Sequence, residues 1–248
     1  MFTNWAILLT LALCLTARAQ TPLHIARIEK IPDQFVGGEI LKVVYKRLNI
    51  PIELVDRPAK RALMESSAGV LDGEVQRNIH VESQYPTLKI VRPAINYIEP
   101  SVFSAKYQFE IKAWDDIKDY SIGIVRGVGT SEDGTKGMKT VYTANNLEQL
   151  MIMLSENRMD VAVSDAFSGM VAIKKLGLEN KIRLLTPPLQ RTEIYHFLNE
   201  KHKDLIPKVE QVIRSMQASG ELEKLRKQII EKYLSQADAQ PSSPELSH

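Results

Sequence analysis

The chain has 248 residues, 44% of them hydrophobic, with 32 basic against 30 acidic residues, five histidines and one cysteine, for a formal net charge of +2. Charge this evenly divided excludes a polyanion-binding face, so nucleic acid is not an expected partner. A single cysteine excludes an intrachain disulfide framework or a thiolate metal cluster, and packing alone must hold the core, which this length permits.

The run Trp5 to Thr16 (WAILLTLALCLT) followed by Ala17-Arg18-Ala19 has the length and A-x-A ending of an export signal, although no Lys or Arg precedes it. Cleavage before Gln20 is expected, which predicts a periplasmic, monomeric protein with no membrane insertion. The apolar run is shorter than the roughly 20 residues that span a bilayer. Cys14 lies inside the run behind Leu13, where an acylation signal takes a small residue, so removal with the signal is favoured over lipidation.

After the signal, short β-branched runs alternate with helical patterns, the order of parallel sheets with crossover helices. Strands are predicted over Leu23 to Ile28, Pro51 to Val55 and Val70 to Val75, with helices over Gly38 to Leu48 and Pro58 to Ala68. Tyr85 to Lys106 carries Pro86, Pro93 and Pro100, which neither one helix nor a central strand tolerates. It reads as a crossing between lobes.

The pattern then restarts with a strand at Ser121 to Val125, a glycine-rich turn from Gly127 to Gly137, and a strand at Thr140 to Tyr142. A helix over Leu147 to Asn157, a strand over Asp160 to Val163, a helix over Phe167 to Leu176 and a strand over Lys181 to Leu185 follow. Pro187-Pro188 marks a second crossing, after which Glu193 to Leu198 returns as a strand and helices at Leu205 to Ala218 and Glu221 to Leu234 close the fold. Two crossings make a hinge between two sheets. The expected organisation is a signal peptide over 1–19, a first lobe from 20–98 and 190–235, a second lobe over 99–189, and a disordered tail over 236–248.

The phrases KRLNIPIELV, AGVLDGE, WDDIKDYSIGIVRGVGT, NLEQLMIMLSENRMDVAVSD and MQASGELEKLRKQ occur in the order and spacing of family 3 extracellular solute-binding proteins, and the sequence resembles a divergent branch of them from about Leu23 to Tyr233. The resemblance implies a type II periplasmic-binding-protein clamshell of the α/β class. It also implies capture of a small polar or charged solute, amino-acid-like or a carboxylate, for a membrane permease or receptor, with no cofactor and no catalysis. Amino-acid-binding members carry a Ser-rich phrase, a Thr and a carboxylate-clamping Arg after the first-lobe Asp. Here the stretch is Asp72-Gly73-Glu74-Val75-Gln76-Arg77, with Arg77 at a different spacing, which leaves amino acid specificity open.

Asp165 follows MDVAVS where family members hold a ligand ammonium, and strand ends of open α/β sheets are where ligands bind; the same residue also suits a helix N-cap. Arg77 can grip a carboxylate or phosphate bidentately with Glu74 positioning it, or the two can form a salt bridge of little worth. Arg126, Thr130 and Ser131 lie in RGVGTS, either an anion-binding turn or a plain connection that lacks the Gly-Lys-Ser/Thr ending of a phosphate loop. Glu29 ends the first strand, and Tyr195, near the returning crossing, is either an aromatic wall or core packing. Lys60 and Arg61 read as a solvated helix face. His24, His80, His196 and His202 show no metal-ligand spacing, so no metal is expected. An acid–base pair of Glu74 with His80 or Asp165, and a sensor or scaffold without ligand, stand as alternatives.

Overall fold

The computed structural model describes residues 21–239, so the expected signal peptide and the last part of the expected tail lie outside the described residues. The first lobe begins with β1 (Leu23–Ile28), α1 (Pro32–Arg47), β2 (Ile52–Arg57), α2 (Ala59–Ser67), β3 (Gly73–Arg77), the single turn α3 (Val81–Gln84), β4 (Leu88–Ile90) and β5 (Asn96–Ile98). The chain crosses at Glu99 into β6 (Pro100–Ser104), β7 (Ile122–Val125), α4 (Gly129–Gly134), β8 (Val141–Ala144), α5 (Leu147–Ser155), β9 (Val161–Asp165), α6 (Ala166–Lys175) and β10 (Arg183–Leu184). It returns in β11 (Thr192–Asn199) and ends in α7 (Ile206–Ala218) and α8 (Glu221–Ala239).

Two sheets result. The first runs β2-β1-β3-β11-β4, with β5 also on β11; the second runs β10-β6-β9-β7-β8. In each, three strands are parallel, β2-β1-β3 and β9-β7-β8, and the strands next to a crossing, β11 and β6, are antiparallel to them. The prolines read as breaks between lobes therefore act more locally than expected. Half of Tyr85 to Lys106 belongs to the sheets as β4, β5 and β6, and the passage itself is confined to Glu99.

Each lobe has its own core. Val36, Ile40, Leu41, Val44 and Tyr45 form the inner stripe of α1 at helical spacing, fully buried against Ile25, Val75 and the α7 residues Val209, Ile213 and Met216. In the second lobe, β7 is covered on both faces, as strands in parallel sheets are: Ile122 and Ile124 pack with Ile111, Ile117 and Val163, while Val125 packs with Leu147, Leu150 and Leu154 of α5. Between them the lobes share an aromatic joint, where Phe167 of α6 and Phe35 of α1 both meet Tyr233 of α8, with ring centroids 6.0 and 5.2 Å away.

Three predicted boundaries move for physical reasons. Helix α1 starts at Pro32, not Gly38, because Pro at the first helical position and Asp33 in the first turn are the start signal, and Gly37 and Gly38 lie within the helix against Gln76 and Leu54. Part of the glycine-rich turn closes into α4. Helix α8 reaches Ala239, so residues 236–239 are helical where a tail was expected.

Candidate ligand cleft

A cavity of about 350 Å³ lies between the lobes, within the range of about 300–1,000 Å³ of small-molecule sites. One wall holds Asp33 and Gln34 from the start of α1 and Gln76, Arg77 and Asn78 from the end of β3; the other holds residues from Val125 to Asp133 and Ser164, Asp165 and Ser168. Both walls thus lie at the carboxyl ends of parallel strands, where open α/β sheets present their loops. The lobes meet closely beside it at Gly127. Its φ is +79°, and a Cβ there would come within 2.9 Å of the Ala59 Cβ and 3.2 Å of the Lys60 nitrogen, so glycine serves both the left-handed turn and the approach of the other lobe.

One end of the cavity is acidic. Asp33 accepts from Asn96 Nδ2 at 2.8 Å and from Gln76 Nε2, while its backbone N–H donates to Ser168 Oγ across the cleft at 3.1 Å. Asp165 accepts from Ser168 N at 2.9 Å, as the N-cap of α6, and from Glu99 N at 3.0 Å. It therefore caps a helix and ties the crossing in one step. Burial and the neighbouring Asp165 charge push the Asp33 carboxyl well above the usual carboxylate range, and burial raises Asp165 too, despite its two backbone donors. The nearest countercharge is Arg226 of α8, whose Nε donates to Asn96 Oδ1 at 2.8 Å. Its guanidinium lies 3.9 Å from the centre of the Tyr97 ring, with Arg191 3.4 Å from the same ring centre.

The other charged feature is self-contained. Arg77 is 6% exposed and Glu74 0%; Arg77 Nε donates to Glu74 Oε2 at 2.8 Å and Nη2 to the Ala59 carbonyl at 2.9 Å. Burial raises the Glu74 carboxyl against the pull of Arg77, and Glu74 Oε1 has no hydrogen-bond partner among the described residues. Behind this pair, His196 Nδ1 lies 2.7 Å from the Glu74 carbonyl and its Nε2 2.8 Å from Tyr45 Oη. Since a carbonyl only accepts, Nδ1–H donates to it, and in the neutral imidazole Nε2 then accepts from the tyrosine hydroxyl. Burial lowers its pKa to about 4.

Of the predicted ligand residues, Asp165, Arg77, Arg126, Thr130 and Ser131 line the cavity. Glu74 lies behind the wall as the partner of Arg77. Glu29 is half-buried in the turn after β1, and Tyr195 packs with Leu63, Leu88 and Phe197 while its hydroxyl donates to Glu193 at 2.6 Å, so neither joins the wall. The RGVGTS turn is not an open anion nest, because Glu132 Oε1 accepts from Gly127 N at 2.7 Å and Arg126 donates to Thr143 at 3.2 Å. Lys60, read as solvated, stands at the cavity rim, and Asp33, Gln76 and Ser168 complete a wall that sequence reasoning missed. Pro32-Asp33 before an apolar stripe was the available signal.

No family model matches the sequence, and no curated protein matches it. Solved structures do match. A histidine kinase sensor domain with similarity to periplasmic binding proteins superimposes with a TM-score of 0.71 at 12% identity, over 84% of this chain and 96% of that one. The chain has the periplasmic-binding-protein fold. The substrate-binding protein of an amino acid ABC transporter shares this fold with a TM-score of 0.67 at 18% identity, over 83% of this chain and 97% of that one. The amino acid ABC transporter substrate-binding protein AbpA from Streptococcus pneumoniae, bound to L-arginine, gives 0.69 at 13% identity, over 85% of this chain and 94% of that one. The fold class expected from the sequence is thereby borne out, with two sheets joined by two crossings.

Proposed function

We propose that this chain is an exported solute-binding protein that captures a small polar or charged solute between its lobes, without turning it over, for an ATP-driven importer. The observation that carries the reading is the cavity whose walls come from both lobes, because a ligand that touches both walls has differential affinity for the closed form and so stabilises closure. The apolar run ahead of Gln20 supports export. Asp165 is the central ligand residue proposed, with Arg77, Thr130, Ser131 and Arg126 around it.

A second reading, a sensory domain that reports the same closure to a kinase, is favoured by the kinase sensor match. The two readings share the cleft and differ in partner. A thermal-shift screen of the protein from Gln20 onward, against amines, amino acids, carboxylates, sugars and phosphorylated compounds, tests capture itself. A ligand at 100 times its dissociation constant adds about 2.7 kcal/mol, and Asp165→Asn is expected to abolish the shift. Silence across the screen overturns capture.

A further inference from the structure

Two carboxylates from opposite lobes share one end of the interlobe cavity, and the surrounding charges do not match them. Asp33 on α1 and Asp165 at the end of β9 both line the space, and the Ser168 bridge joins their two segments across the cleft. The charged groups facing them are Arg226 from α8, held on Asn96, and, from β3, Arg77 with its own Glu74. At the rim, Lys60 and Arg126 are offset by Glu132 and Asp133, all four exposed. With Arg77 neutralised by Glu74, and one guanidinium for two aspartates, the cleft carries one uncompensated negative charge.

Like charges in a poorly solvated site cannot both ionise without a counterion. A proton on one of the two satisfies that need, and so does a ligand cation. The rest of the wall suits an apolar body, with Ile28, Ile31, Leu63, Val81, Val128 and Ile194 among its residues. A zwitterion fits less well. Its ammonium meets the acid pair, but its carboxylate finds only a guanidinium already paired with Glu74 and the Ala59 carbonyl.

Resting on the reading of the cleft as the ligand site, we propose that it selects a small primary amine of net positive charge, with Asp33 and Asp165 clasping the ammonium from the two lobes. Asp33 is then a specificity-determining residue, and uptake of the amine displaces a proton from the pair.

The test is a matched series in which the butyl tail stays constant and the head group changes: pentylamine, norleucine and hexanoate, titrated calorimetrically against the protein from Gln20 onward. Pentylamine is expected to bind at least tenfold more tightly than norleucine, hexanoate not at all, and affinity for pentylamine to rise with pH from about 5 to about 8 as the competing proton leaves. Asp33→Asn should weaken pentylamine tenfold or more. The wild-type pH series carries the test if that variant folds poorly. Norleucine or hexanoate binding more tightly than pentylamine, or affinity falling with pH, overturns the inference. A sugar or carboxylate that binds while every amine is ignored also overturns it, yet leaves the solute-binding reading standing. Silence of every compound in the wider screen removes both.

Discussion

Two ionic arrangements at the cleft behave in opposite ways. Arg77 and Glu74 are three residues apart on one strand, opposite in charge and nearly sealed from water, and each answers the other. Asp33 and Asp165 come from different lobes, have the same charge, and face a space that one guanidinium does not balance. Arg77, proposed as a ligand residue, already has its charge answered within its own strand, whereas Asp33, which no local pattern announces, joins Asp165 with one guanidinium between them. Presence in a cavity wall says little about availability; what decides it is whether the charge is already matched.

The largest expected effect breaks the matched pair. Arg77→Met leaves Glu74 buried without a partner, and loss of one member of such a pair costs about 3–5 kcal/mol. Glu74 Oε1 already lacks a hydrogen bond, so the variant adds a second unpaired oxygen. The double variant Glu74→Leu/Arg77→Met is expected to regain most of that loss, because apolar replacement of a whole buried pair is often neutral. Urea unfolding of the single and double variants measures both. Equal stability of Arg77→Met and wild type would mean that Glu74 is protonated and the pair is not ionic.

The unmatched pair is sharpened by pH. The folded Asp33 carboxyl is raised above its unfolded value, so the folded state holds the proton longer, and stability is lost as pH rises from about 3.9 through the raised range, by up to about 1.4 kcal/mol per pH unit. His196 has the opposite sign. Its pKa falls to about 4, so its contribution is present above about pH 6.5 and is lost as pH falls toward about 4. The two oppose each other in that window, so the wild-type profile alone is ambiguous. Asp33→Asn removes one contribution only, and its stability is expected to decline less with rising pH than that of wild type. Parallel profiles would place that proton elsewhere.

Closure itself is tested at Gly127. Alanine there must hold a left-handed φ, at about 1–2 kcal/mol, and its Cβ meets Ala59 of the other lobe. The expected outcome for Gly127→Ala is a modest fall in melting temperature and a ligand shift reduced more than the stability loss explains, since only the closed form contains the contact.

The same contrast shows what the sequence made legible. Alternating strand and helix patterns, with prolines at the crossings, give the order of elements along the chain, because these signals are local and β1, β7 and α5 obey them. The crossings narrowed to Glu99 and the stretch around Pro187-Pro188, because antiparallel β6 and β11 absorb the extended segments into the sheets. Asp165 was legible since a strand end marks it. Asp33 was not, because Gly37-Gly38 disguised the first turns of α1 and its partners, Asn96, Ser168 and Arg226, are joined only by folding. The self-sufficiency of Arg77 was hidden for the same reason, since burial of Glu74 depends on β11 returning beside β3.

Tyr195 gives the smallest effect and the control for the comparison. It pairs with Arg77 in the β3–β11 register, close in sheet position to the matched pair, yet its hydroxyl turns to the exposed Glu193 on its own strand and its ring packs with Leu63, Leu88 and Phe197. Tyr195→Phe keeps the ring and removes one exposed hydrogen bond, so stability should stay within about 0.5 kcal/mol of wild type and ligand affinity should not move. A tenfold loss of affinity in this variant would show that the hydroxyl reaches the ligand, and would extend the cleft beyond the wall formed by β3 toward β11.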